Sequence, residues 1–182
     1  MNASPEAAIN PRQFRSALGR FASGVTIITT EHDGQTHGMT ANAFVSVSLN
    51  PPLILVSVDH RAHMHRILPN SGRYGVSILA EDQQPLSNHF AGRAVEGLKP
   101  PFIRKHDLPV IDGAAAHLVA RLVEAHLAGD HTLYIGQVEF LEWREARPLL
   151  FYSGQYRQLD VERLKPAPWP EDDFSLFTIN TL

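Results

Sequence analysis

The chain has 182 residues, close to the usual size of one domain, and 43% of them are hydrophobic, as in globular proteins with a sizeable core. The formal net charge is -3, with acids and bases mixed along the chain, so neither nucleic acid nor an anionic membrane is an expected partner. The sequence has no cysteine, which excludes disulfides, thiolate metal sites and thiol nucleophiles. Any redox chemistry must therefore come from a cofactor.

Targeting signals are also missing from the sequence. No apolar run approaches the roughly 20 residues that a membrane helix needs. The stretch Met1–Ile9 lacks the basic segment followed by an apolar one that is typical of a secretory signal peptide. We therefore expect a cytoplasmic protein that does not bind membranes.

The first half of the chain predicts one helix and then short strands. Asn10 is a typical helix cap before Pro11, and apolar residues at helical spacing predict a helix over Pro11–Ala22. Runs of β-branched or alternating residues, separated by turn residues, predict strands at Val25–Thr30, Thr36–Met39, Phe44–Leu49, Leu53–Val58 and Tyr74–Leu79. Helical spacing predicts short helices at Ala62–Leu68 and Gln84–Phe90.

The second half contains one long loop and several strands. Ala94–Gly113 is rich in proline, glycine and charge, which predicts a loop with at most a short strand at its end. Ala114–Leu127 fits both a helix and an alternating strand, so its residues alone leave it open. Alternation predicts a long strand over Thr132–Trp143 and a last one over Leu149–Tyr152. Many short strands with few helices indicate a barrel.

Small and polar residues crowd the stretch from Gly38 to the double proline that ends at Pro52. Such a stretch leaves backbone amides accessible, and Thr40, Asn42 and Ser57 add short polar side chains. The edge of a flavin ring presents alternating donors and acceptors, which main-chain groups and short polar side chains can satisfy. The same residues also suit the solvent face of a strand and a turn, so composition leaves both interpretations open.

Three histidines and an arginine lie at a predicted junction between a strand and a helix, Asp59–His65. The imidazoles can bind a metal, but only His60 and His63 have a spacing that one helix face aligns. Alternatively, Arg61 and the free amides of a helix start suit a phosphate group. We favour the phosphate, and a solvated polar turn is the third interpretation.

Two further segments place chemically useful side chains at the ends of strands. Gly129–Val138 brings His131 to the start of a strand, where an imidazole can orient a substrate, contact its phosphates or transfer a proton. Histidines in turns are also common without a function. Phe151–Arg157 places tyrosines after a strand, where an aromatic ring can stack on a planar ligand or close the barrel, and we favour closure.

Three stretches, taken in order, resemble the flavin reductase family with the FMN-binding split-barrel fold, the small reductase partners of two-component flavin monooxygenases. They are F-x-x-A-L-G-R-F-A-S-G-V-T-I-I-T-T from Phe14, G-M-T-A-N-A-F-V-S-V-S-L-N-P-P from Gly38, and G-D-H-T-L-Y-I-G-Q-V from Gly129. The resemblance implies a mainly β fold, a split β-barrel of the Greek-key, FMN-binding type, with a strand at residues 116–125. We expect one domain at residues 10–160 and a linker and apolar tail at residues 161–182.

The resemblance also implies the site. In such proteins the flavin lies along the segment that corresponds to Thr40–Ser46, with further contacts after the next strand. A hydroxyl residue that the family commonly has near Ala62 is absent, which makes His63 or His65 the substitute phosphate contact, with Arg93 as a second one. The implied cofactor-binding residues are Thr40, Ala41, Asn42, Ala43, Ser46, Ser57, Arg61, His63, His65, Arg93 and Tyr156. The implied catalytic residue is His131, beside the nicotinamide nucleotide, and no metal is expected.

The activity that the resemblance implies is that of an NAD(P)H-dependent flavin reductase. NADH or NADPH would bind over FMN or FAD and pass a hydride from its C4 to flavin N5. The reduced flavin would then supply a partner monooxygenase. Barrels of this family usually pair, so we expect a homodimer with the flavin near the interface. The alternatives are a flavin-binding protein that carries or senses the cofactor without turnover, and a histidine-based metal module.

Overall fold

The computed structural model describes residues 9–93 and 96–160, so the linker and tail predicted at 161–182 lie outside the described residues. The helices there are α1 Pro11–Leu18, α2 His63–Ser71 and α3 Gln84–Phe90, with a 3₁₀ turn at Glu81–Gln83. The strands are β1 Ser23–Gly24, β2 Thr26–His32, β3 Gln35–Ala41, β4 Phe44–Leu49, β5 Pro52–Asp59, β6 Arg73–Ile78, β7 Phe102–Lys105, β8 Leu108–Ile111, β9 Ala116–Ala128, β10 His131–Trp143, β11 Leu150–Tyr152 and β12 Gln155–Arg157. None of the helices in these ranges is long and apolar enough to cross a bilayer.

Seven antiparallel strands form the large sheet, in the order β3-β2-β6-β9-β10-β5-β4. The two edge strands, β3 and β4, follow each other in the chain and are joined by Asn42 and Ala43, which we call the β3–β4 link. At this link the Ala43 carbonyl accepts a hydrogen bond from the Ser57 N–H at 3.1 Å. The two sheet edges therefore meet at the link, and the predicted mainly β, split-barrel fold is confirmed.

The core of the barrel packs around two buried tyrosines, Tyr74 on β6 and Tyr134 on β10. A Cβ at Gly136 would collide with the Tyr74 hydroxyl, so β10 needs a glycine at this position. Burial raises the pKa of the Tyr74 phenol, which stays neutral. The buried side chains of α2 close one end of this core, namely Met64, Ile67 and Leu68.

Two smaller β units flank the large sheet. β1, β11 and β12 form a small three-stranded sheet, and β7 and β8 form a hairpin. Side chains of the large sheet fix the hairpin: the Ser77 hydroxyl accepts from the Ile111 N–H at 2.9 Å, and His117 Nε2 lies 2.6 Å from the Ile111 carbonyl. The Thr29 hydroxyl donates to the Pro109 carbonyl. The hairpin therefore covers one face of the large sheet.

The segment that its residues left open forms strand β9, as the resemblance implied. Val119 and Ala120 are neighbours in the chain, and both are fully buried. Ala120 belongs to the barrel core, whereas Val119 lies on the opposite face beside its partner Gly75, where Val110 of the hairpin packs closely. Because both faces of β9 are covered here, its sequence lacks the strict alternation of a half-exposed strand.

The predicted start of α1 is confirmed, but its predicted end is wrong. The Asn10 side chain accepts a hydrogen bond from the Arg12 N–H at 2.8 Å, as a helix cap does. The helix ends at Leu18 rather than at Ala22, because Gly19 caps it and the chain then enters β1, which pairs with β11.

Two predictions in the second half of the chain are also wrong. The predicted loop at residues 94–113 contains the hairpin of β7 and β8, whose turn uses positive φ at His106 and Asp107. Those two residues lack the glycine signal that usually marks such a turn. β11 is not the last strand, because Ser153 and Gly154 turn the chain directly into β12.

Candidate functional site

A cleft of about 580 Å³ lies between the large and small sheets, and we call it the main cleft. Its walls are the end of β3, the strands β11 and β12, and α3 with the residues after it. The lining residues are Val25, Thr40, Asn42, Gln84, Ser87, Asn88, Ala91, Arg93, Phe151, Gly154, Gln155, Tyr156 and Arg157. Four residues predicted from the sequence thus come together, namely Thr40, Asn42, Arg93 and Tyr156.

The end of β3 delivers Thr40 and Asn42 to the main cleft. Ala41 between them is buried in the barrel core, so strand alternation turns its two neighbours to the other side. α3 approaches β3 closely at Gly38, where a Cβ would lie 2.7 Å from a ring carbon of Phe90. The absence of a side chain at Gly38 therefore lets α3 form a wall of the cleft.

The two polar side chains at this wall differ in what they offer a ligand. The Thr40 hydroxyl donates to the Ser87 carbonyl at 2.7 Å, so only its oxygen lone pairs remain for a ligand. Asn42 is exposed, and its amide carries both an acceptor and donors. Together they can meet a ligand edge on which donors and acceptors alternate.

The opposite wall is aromatic. Tyr156 and Phe151 pack edge to face, with ring centroids 5.5 Å apart, and both also pack against the smaller of two core clusters. The Tyr156 hydroxyl lies 2.8 Å from Ser87 Oγ and 3.3 Å from Asn88 Oδ1. Tyr156 therefore closes the core, as the sequence analysis favours, and also lines the cleft.

Two arginines lie at the rim of the main cleft. Arg93 follows α3, and its N–H donates to the Asn88 carbonyl at 3.0 Å, while Arg157 ends β12. Both side chains are exposed. A guanidinium group suits phosphate oxygens through its charge and its paired donors, so this rim can bind an anion.

Two further predicted residues, Arg61 and His131, meet two carboxylates where β5 ends and β10 begins, and we call this group the charged turn. It consists of Asp59, Arg61, Asp130 and His131. The His60 N–H donates to the Asp130 carbonyl at 3.0 Å, which ties the turn before β10 to the turn after β5. Ser57 lies two residues before Asp59 and contacts the β3–β4 link, so this link connects the charged turn to the main cleft.

Arg61 is held by Asp59. The Asp59 carboxylate accepts hydrogen bonds from the Arg61 backbone N–H at 2.8 Å, from Nε at 3.1 Å and from Nη2 at 2.6 Å. These bonds hold the pKa of the Asp59 carboxyl well below its usual range. The Arg61 side chain is 89% exposed, so its outer N–H groups remain accessible to an anion.

Asp130 orients His131. Nδ1 of His131 lies 2.7 Å from Asp130 Oδ1, and this hydrogen bond lowers the pKa of the Asp130 carboxyl. Because a carboxylate only accepts, Nδ1 carries a proton and Nε2 is left for a ligand. The charged turn therefore presents one imidazole nitrogen in a defined orientation.

The other predicted histidines are engaged with protein neighbours. His65 Nδ1 lies 2.6 Å from the Tyr134 hydroxyl. His63 Nδ1 lies 3.1 Å from the Arg66 guanidinium, which can only donate, so the neutral His63 ring carries its proton on Nε2 and can donate to an anion there. No group of His, Asp and Glu in residues 9–93 and 96–160 has an arrangement that holds a metal ion.

The remaining predicted residues divide between the link and the edge strand. The backbone hydrogen bond between Ala43 and Ser57 brings these two residues together. Ser46 lies farther along β4, opposite Ile54 and beside a β-bulge, and does not line the main cleft. The structure therefore places every predicted residue except Ser46 in or beside the main cleft, the link, the charged turn or the start of α2.

Some residues of the site were not predicted from the sequence. Asp59 and Asp130 were overlooked although each lies within two positions of a predicted residue, and this adjacency was the available signal. Gln155 and Arg157 line the main cleft from β12, a strand that the sequence analysis did not predict. Ser87 begins a segment, Ser87–Arg93, that resembles the flavin-side loop of the family, but the sequence assigned no role to Ser87 itself, because that role depends on contacts with two distant strands.

The family model of the flavin reductase like domain matches residues 18–160. An NADH-dependent flavin reductase from a Rhodococcus species is 49% identical over 164 residues, which cover 88% of this chain and 93% of the relative. The HsaB reductase subunit of a flavin-dependent monooxygenase from Rhodococcus jostii is 38% identical over 172 residues, which cover 91% of this chain and 86% of the relative.

Solved structures are similar over the same region. The flavin reductase PheA2 in its native state superposes with a TM-score of 0.81 at 49% identity, over 83% of this chain and 99% of that one. BorF, the flavin reductase component of a bacterial two-component tryptophan halogenase, has a TM-score of 0.77 at 39% identity, over 82% of this chain and 98% of that one.

Proposed function

This chain belongs to the family of flavin reductase like domains, and we propose that it catalyses hydride transfer from NADH or NADPH to FMN or FAD. The observation that carries the proposal is the main cleft, in which the end of β3 and the β3–β4 link face an aromatic wall and two arginines. Its volume of about 580 Å³ lies within the range of about 300–1,000 Å³ that is typical of small-molecule sites.

The residues of the main cleft fit a flavin. The ring system has apolar faces, which suit Phe151 and Tyr156, and a polar edge, which suits Thr40 as an acceptor and Asn42 as a donor and acceptor. We assign phosphate contacts to Arg93 at the rim. When bound, the flavin supplies the hydride acceptor, its N5 atom.

The start of α2 supplies the other anion contacts. We assign these to Arg61, whose outer N–H groups are exposed, and to His63 Nε2, which can donate. His65 has one nitrogen engaged with Tyr134, so its contribution is limited to Nε2. This arrangement takes the place of the hydroxyl residue that the family commonly has near Ala62.

We assign His131 to the nicotinamide nucleotide. Asp130 fixes its ring, so Nε2 presents a single hydrogen-bonding group beside the link. Hydride transfer needs aligned, close contact between donor and acceptor more than it needs an acid or a base. The contribution of this chain is therefore to hold two rings in register, and His131 is the catalytic residue that orients the second one.

We propose that the reduced flavin supplies a flavin-dependent monooxygenase. Relatives of this chain are named as reductase subunits or components of such monooxygenases. In such a pair the reductase component supplies the reduced flavin that the oxygenase component uses. Adding the purified chain, flavin and NADH to a candidate oxygenase should sustain product formation. If the reduced flavin diffuses between the two proteins, product formation should continue when a membrane that passes flavin but retains proteins separates them.

We propose that two copies pair through the exposed edge strand β4. Val45, Val47 and Leu49 on this edge strand are 54%, 46% and 69% exposed. An apolar edge strand promotes association unless it is covered, and a twofold axis covers the same patch on both copies. Because β4 begins at the β3–β4 link, such a pairing would bring the flavin site near the interface.

We propose that residues 10–160 form the catalytic domain and that residues 161–182 form an appended linker and tail. We also propose that the protein works in the cytosol. The match of the family model to residues 18–160 supports the domain bounds. Fractionation of cells that express the tagged chain tests the location, and recovery in the membrane pellet would contradict it.

Rapid mixing tests the activity. The purified full chain is loaded with FMN or FAD without oxygen and mixed with NADH or NADPH, and the visible absorption band of oxidised flavin is followed. Bleaching much faster than in free flavin supports the reductase. Binding of flavin without accelerated bleaching would instead indicate a carrier or sensor, and neither binding nor bleaching would overturn the assignment.

A further inference from the structure

Ser87 joins three separate walls of the main cleft. It is fully buried on α3. Its carbonyl accepts the Thr40 hydroxyl of β3 at 2.7 Å, and its own hydroxyl lies 2.8 Å from the Tyr156 hydroxyl of β12. The large sheet, α3 and the small sheet are therefore connected through this one residue.

The direction of these hydrogen bonds follows from the available protons. Tyr156 donates to Asn88 Oδ1 at 3.3 Å, so the Ser87 hydroxyl donates to Tyr156. Thr40 donates its only hydroxyl proton to Ser87. All three hydroxyl protons are committed to protein acceptors, so none of them is free to donate to a ligand.

Backbone hydrogen bonds through Leu79 tie Val25 and Leu149 together where the two sheets adjoin, but in the described ranges none joins β3 to β12. β3 belongs to the large sheet and β12 to the small sheet, and the two sheets share no strand ladder in the described ranges. The side-chain bonds at Ser87 therefore contribute to the separation of the two walls, which is the width available to a planar ring. A cleft whose walls are fixed before binding loses less conformational entropy when the ligand arrives.

We propose that Ser87 and Tyr156 are positioning residues that set the width of the main cleft for the flavin ring through the hydrogen bond between their hydroxyls. The inference rests on the proposed function, because it concerns how the same cleft receives its flavin. It differs from a direct contact, since the polar atoms of both residues face each other rather than the ligand. It also differs from a contribution to folding alone, which would leave the affinity of the folded protein unchanged.

Three variants of the full chain test the proposal: Tyr156→Phe, Ser87→Ala and the double variant. Tyr156→Phe keeps the ring that packs on Phe151 and removes only the hydroxyl. Tyr152→Phe on β11 is the matched control, because it makes the same change on the small sheet outside the lining of the main cleft. Thermal unfolding of each variant identifies any that fails to fold.

Titration with riboflavin, FMN and FAD, followed by flavin fluorescence, gives the result. Each single variant should raise the Kd about three- to tenfold, because the bond that fixes the separation of the two walls is lost. The increase should be equal for the three flavins, since they share only the ring and its ribityl chain. The Kd of the double variant should be no higher than that of the single variant with the higher Kd. Both single variants already remove the same hydrogen bond, so their effects should not add.

The kinetics give a second readout. At saturating flavin and NADH, kcat of the variants should stay within about twofold of the original chain while the KM for flavin rises, because positioning acts on binding. Unchanged Kd values in both single variants, or a loss confined to FMN and FAD, would overturn the proposal. If the unaltered chain binds no flavin, the proposed function fails instead, so the two failures are distinguishable.

Discussion

His131, the first residue of β10, is the register partner of Asp59, the last residue of β5. Each of the two side chains has its own hydrogen-bond partner: His131 bonds to Asp130, and Asp59 accepts from Arg61. An imidazole and a guanidinium are therefore each held by a carboxylate at the end of the same ladder. A side chain at the end of a ladder can be removed without breaking the pairing of the strands behind it.

Replacing His131 by alanine should impair use of the nicotinamide nucleotide and spare flavin binding. We expect the KM for NADH to rise about tenfold or the reduction rate to fall to a similar extent, as when one oriented polar contact is lost. His126→Ala is the matched control, because His126 lies on β9 of the same hairpin and is exposed. Stopped-flow reduction and flavin titration check the prediction, and unchanged kinetics would remove His131 from the mechanism.

Adding a methyl group at Gly38 should destabilise the protein and weaken flavin binding. The new Cβ would collide with the Phe90 ring, which is packed between His89 and Phe102. We expect Gly38→Ala to lower the free energy of unfolding by about 1–3 kcal/mol, as overpacking does.

The control for this change is Gly24→Ala, because a Cβ at Gly24 meets no heavy atom within 4 Å. Urea unfolding measures stability, and a flavin titration shows whether α3 has moved from β3. Equal stability of the two variants would mean that the contact between Gly38 and Phe90 is not tight.

The Glu142 carboxylate should make the fold sensitive to acid. It accepts a hydrogen bond from Lys105 at 3.0 Å and contacts His117 Nδ1 at 2.9 Å, and the bond from Lys105 is the main cause that lowers its pKa from the usual 4.5. Because the pKa of Glu142 is lower in the folded state than in the unfolded state, the carboxylate stabilises the fold fully above pH 4.5. This stabilisation is lost as the pH falls through the lowered pKa of the folded state.

Glu142→Gln should therefore be less stable than the original chain at neutral pH, and the difference should shrink as the pH falls below 4.5. Urea midpoints measured over a pH series check this. Glu145→Gln, a change at an exposed position just after β10, is the control and should show no such convergence. A difference that stays constant down to acid pH would contradict the role of the carboxylate.

A charge on the outer edge of β4 should separate the proposed dimer. Val47→Asp places a carboxylate in the patch that pairs with itself, where two like charges would face each other across the axis. Thr36→Asp on β3 is the control, because it charges an exposed position on the opposite edge of the same sheet. Sedimentation should show a monomer for the first variant only, and a monomeric original chain would contradict the pairing.

Ending the chain after Asp160 should leave the reductase activity intact. The described ranges contain the main cleft, the β3–β4 link and the charged turn, and the family model ends at residue 160. We expect kcat and the Kd for flavin to change less than about twofold. A large loss of flavin affinity would assign residues 161–182 to the site.

The fold could be predicted from the sequence wherever one face of an element is exposed. The alternation over β10 and the cap at Asn10 were sufficient, because local pattern and local structure agree there. The pattern left β9 open, because both of its faces are covered around Val119 and Ala120. It failed at the hairpin of β7 and β8, whose fixing contacts come from Ser77 and His117 far away in the chain. Such long-range contacts leave no local signal.

The site was predictable to the extent that its residues are contiguous in the chain. The stretch Thr40–Ala43 and the Gly129–His131 turn each form a unit that the sequence displays. The sequence could not show that Thr40 bonds to Ser87, or that Arg61 is already held by Asp59, because side-chain partners depend on the folded geometry. Those partners decide which protons and charges a ligand can use.

The β3–β4 link also bears on selectivity. Asn42 and Ala43 lie where the hydrogen-bonded ladders of the two edge strands stop, so a ligand edge seated there occupies the position of a missing strand segment. Recognition of this kind reads shape and the order of donors and acceptors, through the main chain together with the short side chains of Thr40 and Asn42. A reductase built in this way would accept any molecule that carries the common tricyclic headgroup, and preference between mononucleotide and dinucleotide forms would have to arise from the distant rim.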